Sequence, residues 1–482
     1  MAEVLFSNTY FLALDPKQEA NKTPYPPLAT IFAAALLRQN GHSVELADTH
    51  FLSGPSDVFP AIDRFAGKVF IICDDGFNYL TKMCLVNMRN ACLQMINYAK
   101  QKGCMVLVAS SDATDNKNQY LEAGADFIIV GEVEQTLLEL VNKIEAESSD
   151  FSNVDGLVYL TNQATFSTSP RKVIQQLDEL PQPAWDLIDI EKYRSLWQSN
   201  HGQFSLNVAT TRGCPFKCNW CAKPIYGNRY NAHSPEYIVS QIELLVNEFR
   251  AKHIWFCDDI FGLKPGWIHR FRELVEEKDL KFKYKIQCRA DLLLDENNIA
   301  DLAHSGCDEV WIGAESGSQN ILDAMDKGTT IEQIVSSTKL MKSHGIKPCF
   351  FLQFGYPGES MDEIKLTIQL MEECMPYDIG ISVSYPLPGT KFYEQVKGQM
   401  DAKTNWDDSD ELAMMFTGTY PPQFYKLLHR YVHRRFRKAQ GEALVKGSFA
   451  NIQNGVKRLA LWPYYTLTMI YYKYNMNKLL AH

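Results

Sequence analysis

TTRGCPFKCNWC, residues 210–221, places Cys214, Cys218 and Cys221 within eight positions, directly after the apolar run FSLNVATT (204–211). Thiolates are the standard ligands of iron–sulfur clusters, and a cubane cluster takes four. Three of them, with no fourth nearby, leave one iron open to bind and activate a substrate or cosubstrate. A zinc site is the competing reading, but zinc ligands usually come as two separated pairs, and no matching second pair appears. Inert packing is the other, and it suits Cys73, Cys92 or Cys349 better.

Reading outward from the cysteines, strand and helix signals alternate. After FSLNVATT come the strands HIWFCDD (253–259), KYKIQCRA (283–290), DEVWIGAE (308–315), KPCFFLQFG (347–355) and DIGISVSYP (378–386). Helical patterns lie between them, among them SPEYIVSQIELLVNEF (234–249), WIHRFRELVEE (267–277) and MDEIKLTIQLMEEC (361–374). Six strand–helix units, rather than eight, predict an incomplete barrel over 204–402, with its chemistry at the carboxyl ends of the strands.

Upstream, residues 1–147 alternate in the same way. VLFSNTYFLAL (4–14), SVELAD (43–48), KVFIICDD (68–75), CMVLVAS (104–110) and DFIIVG (126–131) read as strands. PLATIFAAALLRQNG (27–41) is a helix with Leu28, Ile31, Phe32, Ala35 and Leu36 on one face and Gly41 at its end. Short continuous apolar strands separated by helices predict a parallel sheet covered on both faces, which binds ligands at its carboxyl edge. Residues 148–203 break the rhythm with polar SSDFSN and LPQPAWDLIDIEKY, and read as a connector. Residues 403–482 read as a basic helical region.

Apolar residues make up 46% and charged residues 22% of the 482, which excludes a disordered chain. The start reads as a buried strand and not as a signal peptide. No apolar run reaches the roughly 18 residues of a membrane span. Twelve cysteines lack secreted-domain spacing, so a reducing, cytoplasmic setting is expected. The net charge of −9 is uneven: residues 421–482 hold eleven Lys/Arg and one Glu, which leaves −19 on residues 1–420. An acidic body argues against nucleic-acid binding.

Cys-x3-Cys-x2-Cys after the first barrel strand resembles the signature of the radical S-adenosylmethionine superfamily. The resemblance implies that Cys214, Cys218 and Cys221 hold a 4Fe–4S cluster whose open iron chelates S-adenosylmethionine, and that Trp220 packs by its adenine. Reduction then yields a 5′-deoxyadenosyl radical, with flavodoxin or ferredoxin as the electron donor. The same resemblance puts Asp258 and Asp259 at the methionyl amino group. It further puts Gln287 and Arg289 on the third strand, with Arg289 facing the methionine carboxylate, and Glu315 and Ser316 near the ribose or methionine. FGYPGES (354–360) and YPLPGT (385–390) look like strand ends that let backbone approach the adenine.

A cobalamin domain ahead of such a barrel is a recurring family arrangement, and YPPLATIFAAALLRQNGHSVELAD (25–48), ASSDAT (109–114) and GADFIIVGEVEQTLLEL (124–140) resemble it. The implied fold is a Rossmann-like, flavodoxin-like α/β domain, then a partial (β/α)6 barrel and a helical C-terminal extension. Tyr25, Asp74, Ser110, Ser111, Asp112, Gly131 and Glu132 become the cobalamin candidates. DTHFLSG (48–54) superficially resembles the motif that supplies a lower axial histidine, but its glycine is one place late, so His50 reads as a chance match. The bland alternative is a domain that has lost its cofactor.

DDGFNYLTKMC (74–84) and the stretch 405–438 look closest to the anaerobic magnesium-protoporphyrin monomethyl ester cyclase-like group. Methyl transfer to an unactivated carbon of a small organic substrate is the expected reaction. Ring-forming or other redox chemistry without methyl transfer is the alternative, and a non-catalytic cobalamin-binding protein the third. In the basic tail, FYKLLHRYVHRRFRK (424–438) reads as a helix docked over the barrel. LALWPYYTLTMIYY (459–472), beside lysines and arginines, offers a peripheral membrane contact instead of a span.

Overall fold

Apolar runs of five residues or fewer build the centre of the first sheet, because those strands are buried on both faces and need no polar alternation. The computed structural model describes residues 3–162, 164–221, 226–400, 403–445 and 452–480. Its first strands are β1 (Glu3–Ser7), β2 (Ser43–Ala47), β3 (Val69–Cys73), β4 (Met105–Ala109), β5 (Phe127–Ile129), β6 (Leu157–Thr161) and β7 (Ala164–Ser167). They lie in the order β2-β1-β3-β4-β5-β6-β7. The first five pair in parallel. The order 2-1-3-4-5 is the flavodoxin-like one, and its switch point falls between β1 and β3. The helix Leu28–Gln39 buries ten of its twelve residues, and the helix Val133–Glu145 packs Leu137, Leu140 and Val141 into the same core.

Two details differ from the sequence reading. β1 stops at Ser7 instead of running on, because the residues that follow bond outside the ladder: the Asn8 side chain accepts from the Thr49 amide, and the Thr9 amide donates to the Asp74 carboxylate. The segment expected as a connector adds β6 and β7 to the sheet edge as antiparallel strands. Only Leu157 and Val158 of β6 are buried, and all four residues of β7 are exposed. An edge hairpin of this kind leaves little apolar pattern to read.

The barrel strands are β8 (Ser205–Val208), β11 (His253–Phe256), β12 (Lys283–Cys288), β13 (Cys307–Glu315), β14 (Lys347–Phe354) and β15 (Asp378–Val383). All six are the expected ones. A two-residue antiparallel pair, β9 (Thr211–Arg212) with β10 (Asn231–Ala232), brackets the cysteine loop. The chain divides into two compact units. One comprises Met1–Pro215, Lys223–Tyr284 and Asn405–Glu411, the other Phe216–Ala222, Lys285–Thr404 and Leu412–His482. In the first, β8 and β11 are parallel neighbours. In the second, β13, β14 and β15 pair in parallel in chain order. The helices Ile331–Ser343 and Met361–Cys374 both start in capping boxes, at Thr330–Gln333 and Ser360–Glu363.

The long helix Pro422–Val445 docks on the second unit through Phe424, Leu428, Tyr431, Val432 and Phe436, all buried. Arg435 meets Glu372, and Arg437 meets Asp378 at 2.9 Å. The helices Ile452–Ala460 and Trp462–Leu480 follow and pack on it. Among the described residues no helix is long and apolar enough to cross a membrane.

Candidate active site

The cysteine loop is anchored before its first cysteine. Asp258, at the end of β11, is 1% exposed and accepts from the amides of Thr210 and Thr211 at 2.7 and 2.8 Å and from the Thr210 hydroxyl at 2.6 Å. Burial pushes its carboxyl up to about 7 despite these donors. Its oxygens already serve the strand end. Asp259 is the exposed member of the pair, 3.1 Å from Lys82.

Arg212 follows, fully buried and held by Glu134 at 2.6 Å and Glu132 at 3.1 Å. Its guanidinium also lies 5.1 Å from the ring of Tyr226 and 5.6 Å from that of Phe77. The sequence reading passed over Arg212. The only signal was a charge inside a strand end, together with Glu132 and Glu134 in GEVEQ. Gly213 has φ +86°, and a Cβ there would stand 2.1 Å from the Arg229 carbonyl, so no other residue fits.

In the second unit, Cys218 lies 3.9 Å from Nη1 of Arg289. The guanidinium stacks 3.8 Å from the Phe216 ring and donates to Asp291 and to the carbonyls of Lys327 and Gly328. Arg289 is therefore engaged on the cysteine side and with backbone, leaving little of its fork for a carboxylate. Glu315 has φ +57° and is paired with buried Lys327 at 2.8 Å. Burial works against the Lys327 ammonium, but the Glu315 carboxylate beside it helps hold it above its usual value. Ser316 is buried, sharing a hydrogen bond with Thr367 and accepting from the Ser318 amide. Gln287 is half-buried on β12.

Asn219, another residue the sequence reading missed, fixes the loop between Cys218 and Trp220. It bonds to Met325, Ala324, Tyr356 and Phe392. The buried Trp220 Nε1 finds no partner among the described residues, and Lys327 Nζ lies 5.9 Å from the Trp220 ring.

Three thiols are half-exposed, those of Cys214, Cys218 and Cys221, while the other nine are buried. Burial pushes the thiols of Cys73, Cys92 and Cys349 well above their ordinary range, which disfavours a thiolate there. No three His, Cys, Asp or Glu side chains among the described residues converge as they would on a single ion. The donor set and the tryptophan N–H left open beside it fit a cluster with a bound cosubstrate.

At the carboxyl ends of β3, β4 and β5 lies a small open cleft. Asp74, Ser110, Gly131 and Glu132 line it with the small residues Ala29, Gly76 and Ala109, and with Tyr226. Gly131 has φ +90°, and a Cβ there would meet nothing within 4 Å. Burial pushes the Asp74 carboxyl up to about 6. Ser111 adjoins Ser110, which caps a short helix through the Ala113 amide. Asp112 lies in a neighbouring cleft, its carboxylate taken by Arg89 at 2.7 Å and Tyr120 at 2.5 Å. Tyr25 is elsewhere, its ring against Trp197 and Trp255. The structure thus gathers four of the seven candidates around one cleft. His50 is buried, 3.0 Å from Asp48 and in contact with Asn8.

Residues 208–371 match the family model of the Radical SAM superfamily. The chain carries a radical SAM domain. Such a domain implies a 4Fe–4S cluster and S-adenosylmethionine, and it needs a reductant. Similar chains include an uncharacterized methyltransferase of Pyrococcus horikoshii, 28% identical over 58% of this chain and 60% of that one. The anaerobic magnesium-protoporphyrin IX monomethyl ester cyclase of Rubrivivax gelatinosus is 27% identical over 57% of this chain and 50% of that one. The matched part thus spans half to three fifths of these relatives. Among solved structures, the cobalamin-dependent S-adenosylmethionine radical enzyme OxsB with aqua-cobalamin bound matches with a TM-score of 0.74 at 18% identity, over 98% of this chain and 72% of that one. Likeness at that identity shows the fold: the α/β domain and partial barrel of this enzyme class.

Proposed function

We propose that this protein is a cobalamin-dependent radical S-adenosylmethionine enzyme that transfers a methyl group to an unactivated carbon of a small organic substrate. The observation that carries it is the cysteine loop, three half-exposed thiols in a chain that buries its other nine, accompanied by a cleft at the carboxyl edge of a flavodoxin-like sheet, over β3, β4 and β5. The methyltransferase name of the Pyrococcus relative and the cobalamin in the OxsB structure support the same reading. A second reading, ring formation without methyl transfer, is favoured by the Rubrivivax cyclase.

When bound, the cluster with S-adenosylmethionine supplies a carbon radical and the cobalamin supplies a methyl group. Cys214, Cys218 and Cys221 would hold the cluster, and Trp220, whose buried N–H has no partner among the described residues, would pack by the cosubstrate. Asp259, Gln287 and Glu315 would be the binding side chains, with Lys327 holding one Glu315 oxygen at 2.8 Å. Asp258, Arg289 and Ser316 are positioning residues, since their polar atoms are already used. Asp74, Ser110, Gly131 and Glu132 form the cobalamin wall. By role, residues 1–147 bind cobalamin, 148–203 lead on from that domain after adding β6 and β7 to its sheet edge, 204–402 carry the radical chemistry and 403–482 form the helical extension. Flavodoxin or ferredoxin supplies the electron.

Anaerobic reconstitution tests the core of this reading. The protein takes up about four irons with matching sulfide and releases 5′-deoxyadenosine from S-adenosylmethionine. Replacing Cys214, Cys218 and Cys221 together by Ala abolishes both, whereas Cys73→Ala and Cys349→Ala keep the iron. Deoxyadenosine formation in the triple variant refutes the assignment.

A further inference from the structure

The helix Trp462–Leu480 turns two unlike faces outward and inward. Tyr465 and Met476 are buried toward the rest of its unit. On the opposite side Leu467, Ile470, Tyr471 and Tyr474 are 68, 62, 61 and 69% exposed. Their spacing of i, i+3, i+4 and i+7 makes one continuous helical stripe. A contiguous apolar patch of this kind marks an interaction surface, unlike single scattered residues.

Charge selects the partner. Residues 452–480 carry Lys457, Arg458, Lys473 and Lys478 and no Asp or Glu. A second copy docking through the same patch would set these cations against themselves, since a two-fold contact pairs a surface with itself. The favoured partner is apolar in depth and anionic at its rim. Tyrosine rings, apolar in body and polar at the tip, suit the boundary between hydrocarbon and water. Long lysine stems reach from apolar ground to charged headgroups. The helix is too polar to cross a bilayer, so it would lie in the plane of one. We propose that residues 452–480 bind the headgroup layer of an anionic phospholipid membrane.

Sedimentation of the whole chain with vesicles tests this. It binds phosphatidylcholine vesicles containing phosphatidylglycerol and binds pure phosphatidylcholine much more weakly. The triple change Leu467→Ser, Tyr471→Ser, Tyr474→Ser lowers partitioning about tenfold or more. Lys473→Gln and Lys478→Gln lower it about fivefold each at low salt. Because all these positions are exposed, melting by circular dichroism stays unchanged. Unaltered partitioning of the triple variant, absence of binding to anionic vesicles, or a lipid-free dimer that the triple variant abolishes would each overturn the proposal.

Discussion

Glu359, in the turn after β14, is fully buried, and its Oε2 accepts from the Gly355 amide at 2.7 Å. Its Oε1 has no partner among the described residues, and burial pushes the carboxyl up to about 8. A folded-state value above the unfolded one means that the contribution of this group is complete below about pH 4.5 and is lost as pH rises to about 8. Glu359→Gln keeps the shape and removes the titration. The stability of the variant relative to the native chain should therefore climb by about 1.4 kcal/mol per pH unit up to pH 8, then level off. Urea melts at pH 6, 7, 8 and 9 measure it, and a constant difference contradicts a protonated buried acid. Glu359 and Arg212 were both hard to read from sequence. Each lies inside a quoted motif, TTRGCPFKCNWC or FGYPGES, but was not singled out there, because its weight comes from burial and from partners such as Glu134, 78 positions away from Arg212.

The elements were far more legible. The barrel strands are short apolar or alternating runs, such as HIWF and KYKIQC, and WIHRFRELVEE and MDEIKLTIQLMEEC fill their helices, Trp267–Glu277 and Met361–Cys374, from end to end. What escaped was the β6–β7 edge, where one exposed face erases the pattern, and the early end of β1, set by the Thr9–Asp74 contact. The cleft shows the same division. Gly131 and Ser110 followed from strand ends, whereas Asp112 was placed by proximity in sequence and is taken up by Arg89. Gly131 also gives a test at this scale. Because its Cβ direction is open, Gly131→Ala should add only the strain of a left-handed residue, about 1–2 kcal/mol, and still bind hydroxocobalamin. Gly131→Leu adds the same strain plus bulk in the cleft, and should weaken binding about tenfold or more by spectral titration. Equal affinity in the two variants would remove Gly131 from the cobalamin wall.

At the scale of the whole molecule, the two proposed readings, methyl transfer and ring formation, would use the same cysteine loop and cleft. Both draw a hydrogen-abstracting radical from S-adenosylmethionine, and both require the radical precursor held near van der Waals distance of its target, roughly 3–3.5 Å. They differ in mass balance. A methyl group and a radical cannot come from the same S-adenosylmethionine molecule, since losing the methyl leaves S-adenosylhomocysteine and cleaving the 5′ carbon leaves methionine. Methyl transfer therefore consumes two molecules per product and yields one S-adenosylhomocysteine with one 5′-deoxyadenosine. Ring formation needs only the second cleavage and yields no S-adenosylhomocysteine. With methyl-deuterated S-adenosylmethionine, reconstituted protein and a cell extract supplying substrate, the product should gain one labelled methyl, and the two nucleoside products should accumulate in equal amounts. Mass spectrometry reads both at once. Product formed with deoxyadenosine, but without label or S-adenosylhomocysteine, would rule out methyl transfer and leave the ring-forming reading in its place.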